Sequence, residues 1–181
     1  MEKSKILFVG EEISFASRYR VEHFREQLIL NGYASKFIQM DQAEQEKIEE
    51  YTAVVMYRCS KLMEAEMLAD RAKAAKIPVY YDVDDLVFDY EKISGLHFLK
   101  GSEYSDFRTT TDRIHGCMEF CDGYFTSTET LAEEIREEFP GKPVVINRNC
   151  MSMEMEVLSH EAVEQLSLIH ISEPTRLALI S

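Results

Sequence analysis

Ala53-Val54-Val55-Met56-Tyr57, a helical run from Leu62 to Lys76, then Pro78 and Val79-Tyr80-Tyr81: this stretch decides the fold. Its two short runs are apolar on both faces, as strands covered by helices on each side are. The segment between them is rich in Ala, Leu and Met and stops before Pro78, which cannot continue a helix. Two strands joined through a helix run parallel, so the stretch predicts one β-α-β unit of a parallel sheet.

The same alternation extends in both directions. Ile6 to Val9, Ser35 to Met40, Gly123 to Thr126 and Val144 to Asn147 read as further strands. A helix is expected over Ser17 to Asn31, where Val21, Phe24 and Leu28 fall on one face and Gly32 marks the stop. Phe107 to Phe120 predicts another, with Ile114 and Met118 four apart. Leu131, Ile135 and Phe139 mark a last one, with Thr128 as its cap and Glu129 in its positive first turn. The expected class is α/β: a Rossmann-like, doubly wound, mostly parallel sheet with helices on both faces. Leu86 to Asp106, with Gly95 and Gly101, shows no clear period. A connection of that length is either a functional loop or conceals a short helix.

At 181 residues the chain suffices for one such domain and falls short of two. Apolar residues at 45% and charged residues at 29% predict a folded core and argue against disorder. Acidic residues outnumber basic ones by 33 to 20, a formal charge of -13, and no Lys/Arg block interrupts this. That balance argues against nucleic acid as a partner. No apolar run is long enough for a signal peptide or a transmembrane segment, so a cytoplasmic protein is expected. Cys59, Cys117, Cys121 and Cys150 form no C-x-x-C pair and read as reduced thiols.

The tail has a different character. Leu166-Ser167-Leu168-Ile169-His170-Ile171-Ser172-Glu173-Pro174-Thr175-Arg176 resembles a translated sequencing-library adapter, with Leu177 to Ser181 as its continuation. The expected organisation is a Rossmann-like N-terminal, acceptor-side domain over 1–150, the start of an interdomain segment over 151–165, and a non-native tail over 166–181. Such a tail is left out of fold reasoning.

In an open parallel sheet, ligands bind beyond the carboxyl ends of the strands. The residues to inspect there are Gly10, Arg58, Asp82 with Asp84 and Asp85, Ser127 with Thr128, and Arg148 with Asn149. Gly10 permits close backbone approach, but no G-x-G-x-x-G follows, which argues against a dinucleotide. Arg18 and Arg20 sit near the start of the first helix, either as anion or acceptor contacts or as ordinary salt-bridged arginines. The Asp82 cluster reads as a divalent-metal site or as caps of the following turn. Cys117 and Cys121 share a helical face and read as small buried thiols. Ser14 or Ser127 with His97 or His115 gives no convincing nucleophile and base.

Taken as an ordered series, Arg18-Tyr19-Arg20, Tyr80-Tyr81-Asp82-Val83-Asp84-Asp85-Leu86, Asp122-Gly123-Tyr124-Phe125-Thr126-Ser127-Thr128 with Leu131-Ala132, and Pro143-Val144-Val145-Ile146-Asn147-Arg148-Asn149 resemble the N-terminal domain of bacterial GT-B type, family 4-like glycosyltransferases. The resemblance implies transfer of a sugar from a nucleotide-sugar donor to a glycan or lipid-linked acceptor in cell-envelope or polysaccharide biosynthesis, and leaves peripheral membrane contact open. It implies substrate-binding roles for Gly10, Arg18, Arg20, Arg58, Asp82, Asp84, Asp85, Ser127 and Arg148, with no metal and no cofactor besides the donor of the full-length parent. The chain departs from that family in lacking a second Rossmann domain, so a truncated, inactive fragment is expected. Two rivals stand beside it. One is a non-enzymatic, receiver-like module holding Mg²⁺ through the aspartates, although only Glu11 and Glu12 follow the first strand; the other is a metal-dependent single-domain transferase.

Overall fold

The computed structural model describes residues 4–11, 15–94 and 102–172 of the chain. Ser14, His97, Gly95, Gly101 and Glu12 lie outside the described residues, as does the tail beyond residue 172. The chain clusters into two compact units, Met1–Asn149 and Cys150–Ser181. The second contains one helix, Met153–Ser172.

The first unit is built on six parallel strands: β1 (Lys5–Gly10), β2 (Ala34–Gln39), β3 (Ala53–Tyr57), β4 (Val79–Asp82), β5 (Gly123–Thr126) and β6 (Val144–Ile146). Their order across the sheet is β2-β1-β3-β4-β5-β6. This is a Rossmann-like, doubly wound α/β domain. Each expected strand is present, with ends shifted by a residue at most. After β1 the chain moves to one side, to β2; after β3 it moves to the other, to β4. The connections therefore diverge above the carboxyl ends of β1 and β3, and a crevice opens there.

The first helical segment is composite: α1 (Phe15–Ser17), a π-helical turn (Arg18–Glu22), and α2 (His23–Leu30). His23 N donates to Arg18 O, five residues back, and this wider turn carries Arg20 inward. Gly32 ends the segment at φ 85°, in the left-handed region open to glycine. Between β2 and β3 the chain passes β1 through two 3-10 segments, Met40–Gln45 and Ile48–Glu50, which the sequence pattern does not reveal. The remaining helices are α3 (Leu62–Ala74), α4 (Tyr90–Ser94), α5 (Ser102–Glu119), α6 (Glu129–Glu138) and α7 (Met153–Ser172). The stretch without clear period thus contains α4 and the beginning of α5, a short helix that aperiodic aromatics had hidden. Thr128 caps α6 as expected, its hydroxyl accepting from Leu131 N at 3.2 Å.

Strand pleating divides the core between the two faces. Leu7, Val9, Val54, Met56, Val79, Tyr81 and Tyr124 pack on one face against α3, α5 and α6. On the other, Phe8, Val55 and Tyr57 pack with Val21, Phe24 and Leu28 of the first helical segment. Phe24 meets Phe8 and Phe125 edge-on at centroid distances of 5.5 and 5.3 Å, contacts worth roughly 0.5–1.5 kcal/mol each beyond area burial.

Candidate functional site

The carboxyl ends of β1, β3 and β4 gather Gly10, Glu11, Tyr57, Arg58, Ser60 and the three aspartates, but pleating gives these residues different tasks. Asp82, the last residue of β4, faces the first helical segment. There it is 1% exposed and receives two hydrogen bonds from Arg20, itself 1% exposed, Nε to Oδ1 and Nη2 to Oδ2, both at 2.9 Å. Arg20 Nη1 also donates to Asn147 O at 2.5 Å and to Asn149 Oδ1 at 2.9 Å. One guanidinium therefore ties the helix to the ends of two strands through four hydrogen bonds. Burial pushes the Asp82 carboxyl up to about 6, against the pull of Arg20.

Asp84 and Asp85 lie past the strand and turn to Arg58. Arg58 Nε and Nη2 donate to Asp84 Oδ1 at 2.9 and 2.6 Å, and Nη2 also contacts Asp85 Oδ2. Arg58 has φ 44°, a left-handed conformation that side chains with a Cβ rarely adopt, and its N–H donates to Asp82 O at 3.3 Å. The strained residue is held on both sides. Ser127 leans on the same turn, Oγ donating to Asp84 O at 3.4 Å. The aspartates are therefore engaged by arginines, and among the described residues no group of three or more His, Cys, Asp or Glu is arranged to hold a metal ion.

The other expected residues divide in the same way. Gly10 closes β1 where an added Cβ would come within 3.1 Å of the Phe37 ring, so packing accounts for the glycine. Arg18 is exposed on the π-helical turn, and Arg148 is exposed two residues past β6. Arg58, Asp82 and Arg148 follow or end strands of one parallel sheet and so share its carboxyl edge.

Between the diverging connections lies a cavity of about 280 Å³, walled by Glu11, Tyr57, Arg58, Ser60, Thr110 and Ile114 among others. Glu11 is fixed by the start of α3, accepting from the N–H groups of Ser60 and Lys61 and from Ser60 Oγ at 3.2 Å. Tyr57 is 4% exposed, and its hydroxyl is buried with no hydrogen-bond partner among the described residues. Burial pushes that phenol above its ordinary range, so it stays protonated and able to donate. The Arg58 guanidinium, by contrast, is 29% exposed, and its Nη1 makes no hydrogen bond among the described residues. Glu11, Tyr57 and Ser60 were missed as a constellation. Their position directly at the ends of β1 and β3 was the available signal. A larger depression of about 530 Å³ at the opposite edge, near Lys73, Lys76 and Asp122, contains no such buried orphan among the described residues.

No family model matches the chain, and no curated protein matches it. Among the solved structures that match is a GDSL-like lipase from Bacteroides thetaiotaomicron VPI-5482, 15% identical, with a TM-score of 0.38 over 62% of each chain. The chain thus spans less than two thirds of that structure, and a likeness of this strength carries no functional argument. The glycosyltransferase reading is corrected on two grounds. The family resemblance finds no matching family model and no matching curated protein. Arg20 and Asp82, moreover, which that reading assigned to substrate, are buried against each other. GT-B architecture, sugar transfer and polysaccharide biosynthesis fall with it. Among the described residues no helix is long and apolar enough to cross a membrane.

Proposed function

We propose that the domain is a ligand-binding module that takes a small, polar, uncharged molecule in the cavity over the β1/β3 divergence, with Tyr57, Arg58 and Ser60 supplying its hydrogen bonds. The observation that carries the reading is Tyr57, a wall residue of the cavity whose hydroxyl is buried without a hydrogen-bond partner among the described residues. Leaving such a group unsatisfied costs about 1–3 kcal/mol, which a ligand bearing an acceptor would recover. Support also comes from the strained Arg58 backbone and from the topology, since crevices of this kind are the usual ligand sites of open α/β sheets.

Charge narrows the class of ligand. Arg58 stands among Glu11, Asp84 and Asp85, so the carboxylates outnumber the cation and a phosphate or carboxylate ligand is disfavoured. We infer a carbonyl- or hydroxyl-bearing neutral molecule. Three buried free thiols support a reducing, cytoplasmic setting.

The test is a screen of neutral amide and polyol fragments against the isotopically labelled chain by NMR. The expected hits shift the amides of Glu11, Arg58 and Ser60, and lose affinity in Tyr57→Phe. Hits that favour phosphates, or that leave those amides unmoved, refute the reading.

A further inference from the structure

A second surface, away from this cavity, has the form of a docking groove. The 3-10 segment Met40–Gln45 and α3 enclose a cleft of about 250 Å³ whose apolar wall is Met40, Met63, Met67 and Leu68. Met63 and Met67 stand one helical turn apart, 67% and 48% exposed, with Leu62 beside them at 40%. Methionine is flexible and polarisable, and its exposure on one helix face suits a surface that moulds to a partner. The groove is preformed. Arg71 at its base donates to Ala43 O at 2.7 Å and to Glu46 O at 2.6 Å, clamping the 3-10 segment against α3.

Size and charge decide what fits. The volume is below the roughly 300–1,000 Å³ of sites that enclose a whole small molecule, and suits an apolar side chain or two projecting from a larger partner. The rim carries Asp41, Glu44 and Glu64, in a chain whose formal charge is -13. A partner with acidic flanks would be repelled, and one with basic flanks would be drawn in. A second copy of this chain offers a poor match through its most apolar exposed helix: the described side chains of α7 include Glu154, Glu156, Glu161 and Glu164 and no lysine or arginine.

We propose that this groove docks a basic amphipathic helix of another protein, its apolar residues seated among Met40, Met63, Met67 and Leu68 and its cations facing Asp41, Glu44 and Glu64. The arrangement is the helix-in-groove mode of recognition, with the rim charges selecting the partner.

The test uses the full chain and three fluorescein-labelled peptides in anisotropy titrations: a helical peptide with leucines on one face and lysines on the other, its counterpart with glutamates for lysines, and a lysine peptide of the same composition in scrambled order. The lysine amphipathic peptide is expected to bind at least about tenfold more tightly than either of the others, a difference of about 1.4 kcal/mol. Met63→Gln with Met67→Gln, both at exposed positions, is expected to remove that preference while circular dichroism stays unchanged, and Met67→Leu is expected to keep it. Equal binding of the scrambled peptide, undiminished binding by the double glutamine variant, or sedimentation as a dimer that this variant dissolves would overturn the proposal.

Discussion

Replacing Asp82 by leucine removes one half of a buried ion pair and leaves Arg20, 1% exposed, with its charge uncompensated. Breaking a buried pair in this way costs about 3–5 kcal/mol, a large fraction of the roughly 5–15 kcal/mol that holds a domain of this size together. Arg20→Met does comparable damage from the other side, because Asp82 then loses both charge-assisted bonds; Asn147 is only half-buried and Asn149 exposed, so water can replace what Arg20 gave them. The double variant removes both charges together, and similar-sized apolar replacements of a buried pair are often close to neutral. A double-mutant cycle should therefore show each single change costing about 3 kcal/mol or more and the pair costing much less than their sum. The chain has no tryptophan, so urea unfolding is followed by circular dichroism. Single variants within about 1 kcal/mol of the parent, or strictly additive losses, would refute the view that Arg20 and Asp82 are a structural pair and return them to the ligand site.

Other outcomes follow from the same geometry. The Asp82 carboxyl has its folded-state value raised to about 6, so its contribution to stability is fully present below its ordinary 3.8 and is lost as pH rises through about 6; Asp82→Asn should remove that slope from a stability-against-pH profile. Tyr57→Phe in the ligand-free chain should hold or raise the urea midpoint, since it deletes an unpartnered buried hydroxyl, and a loss above about 1 kcal/mol would mean that the hydroxyl is already satisfied. Thr128→Ala should cost about 1 kcal/mol through the lost cap of α6, with Thr128→Ser restoring most of it. Gly123→Ala should destabilise by about 1–3 kcal/mol, because its Cβ would stand 2.9 Å from Pro143 O, a backbone atom that cannot swing aside. A thiol reagent should modify the exposed Cys150 in the native chain and reach Cys59, Cys117 and Cys121 only after unfolding, since burial raises the pKa of all three.

The strands were legible because a parallel sheet buried on both faces writes continuous apolar runs, and Pro78, Gly32 and Thr128 mark helix ends by local chemistry alone. The order of the strands was not legible. Nothing local to β1 or β3 says that they are neighbours, and it is this adjacency that places the crevice. The aspartates show the same limit. In sequence Asp82, Asp84 and Asp85 form one acidic cluster, but Asp82 belongs to the pleat of β4 and faces the helical layer, while the other two sit beyond the strand and turn to Arg58. A single extra residue in the π-helical turn directs Arg20 inward, and no composition or spacing rule for an ordinary helix anticipates it.

In a chain this acidic, three of the arginines serve as internal fasteners. Arg20 joins the first helical segment to β4 and the end of β6, Arg58 holds the turn after β4, and Arg71 clamps the passage between β2 and β3. Each spends donors on strand ends or on the loops that follow them, which would otherwise be the most mobile parts of an α/β domain. The described part of the carboxyl edge is thereby cross-linked before any ligand arrives, which lowers the cost of ordering it on binding. Against that background, the Tyr57 hydroxyl, buried without a partner among the described residues, is more informative than the larger number of charged residues around it. A charge that already has its partner holds the scaffold, whereas a buried donor in a cavity-lining residue that has none among the described residues is a candidate contact for a ligand.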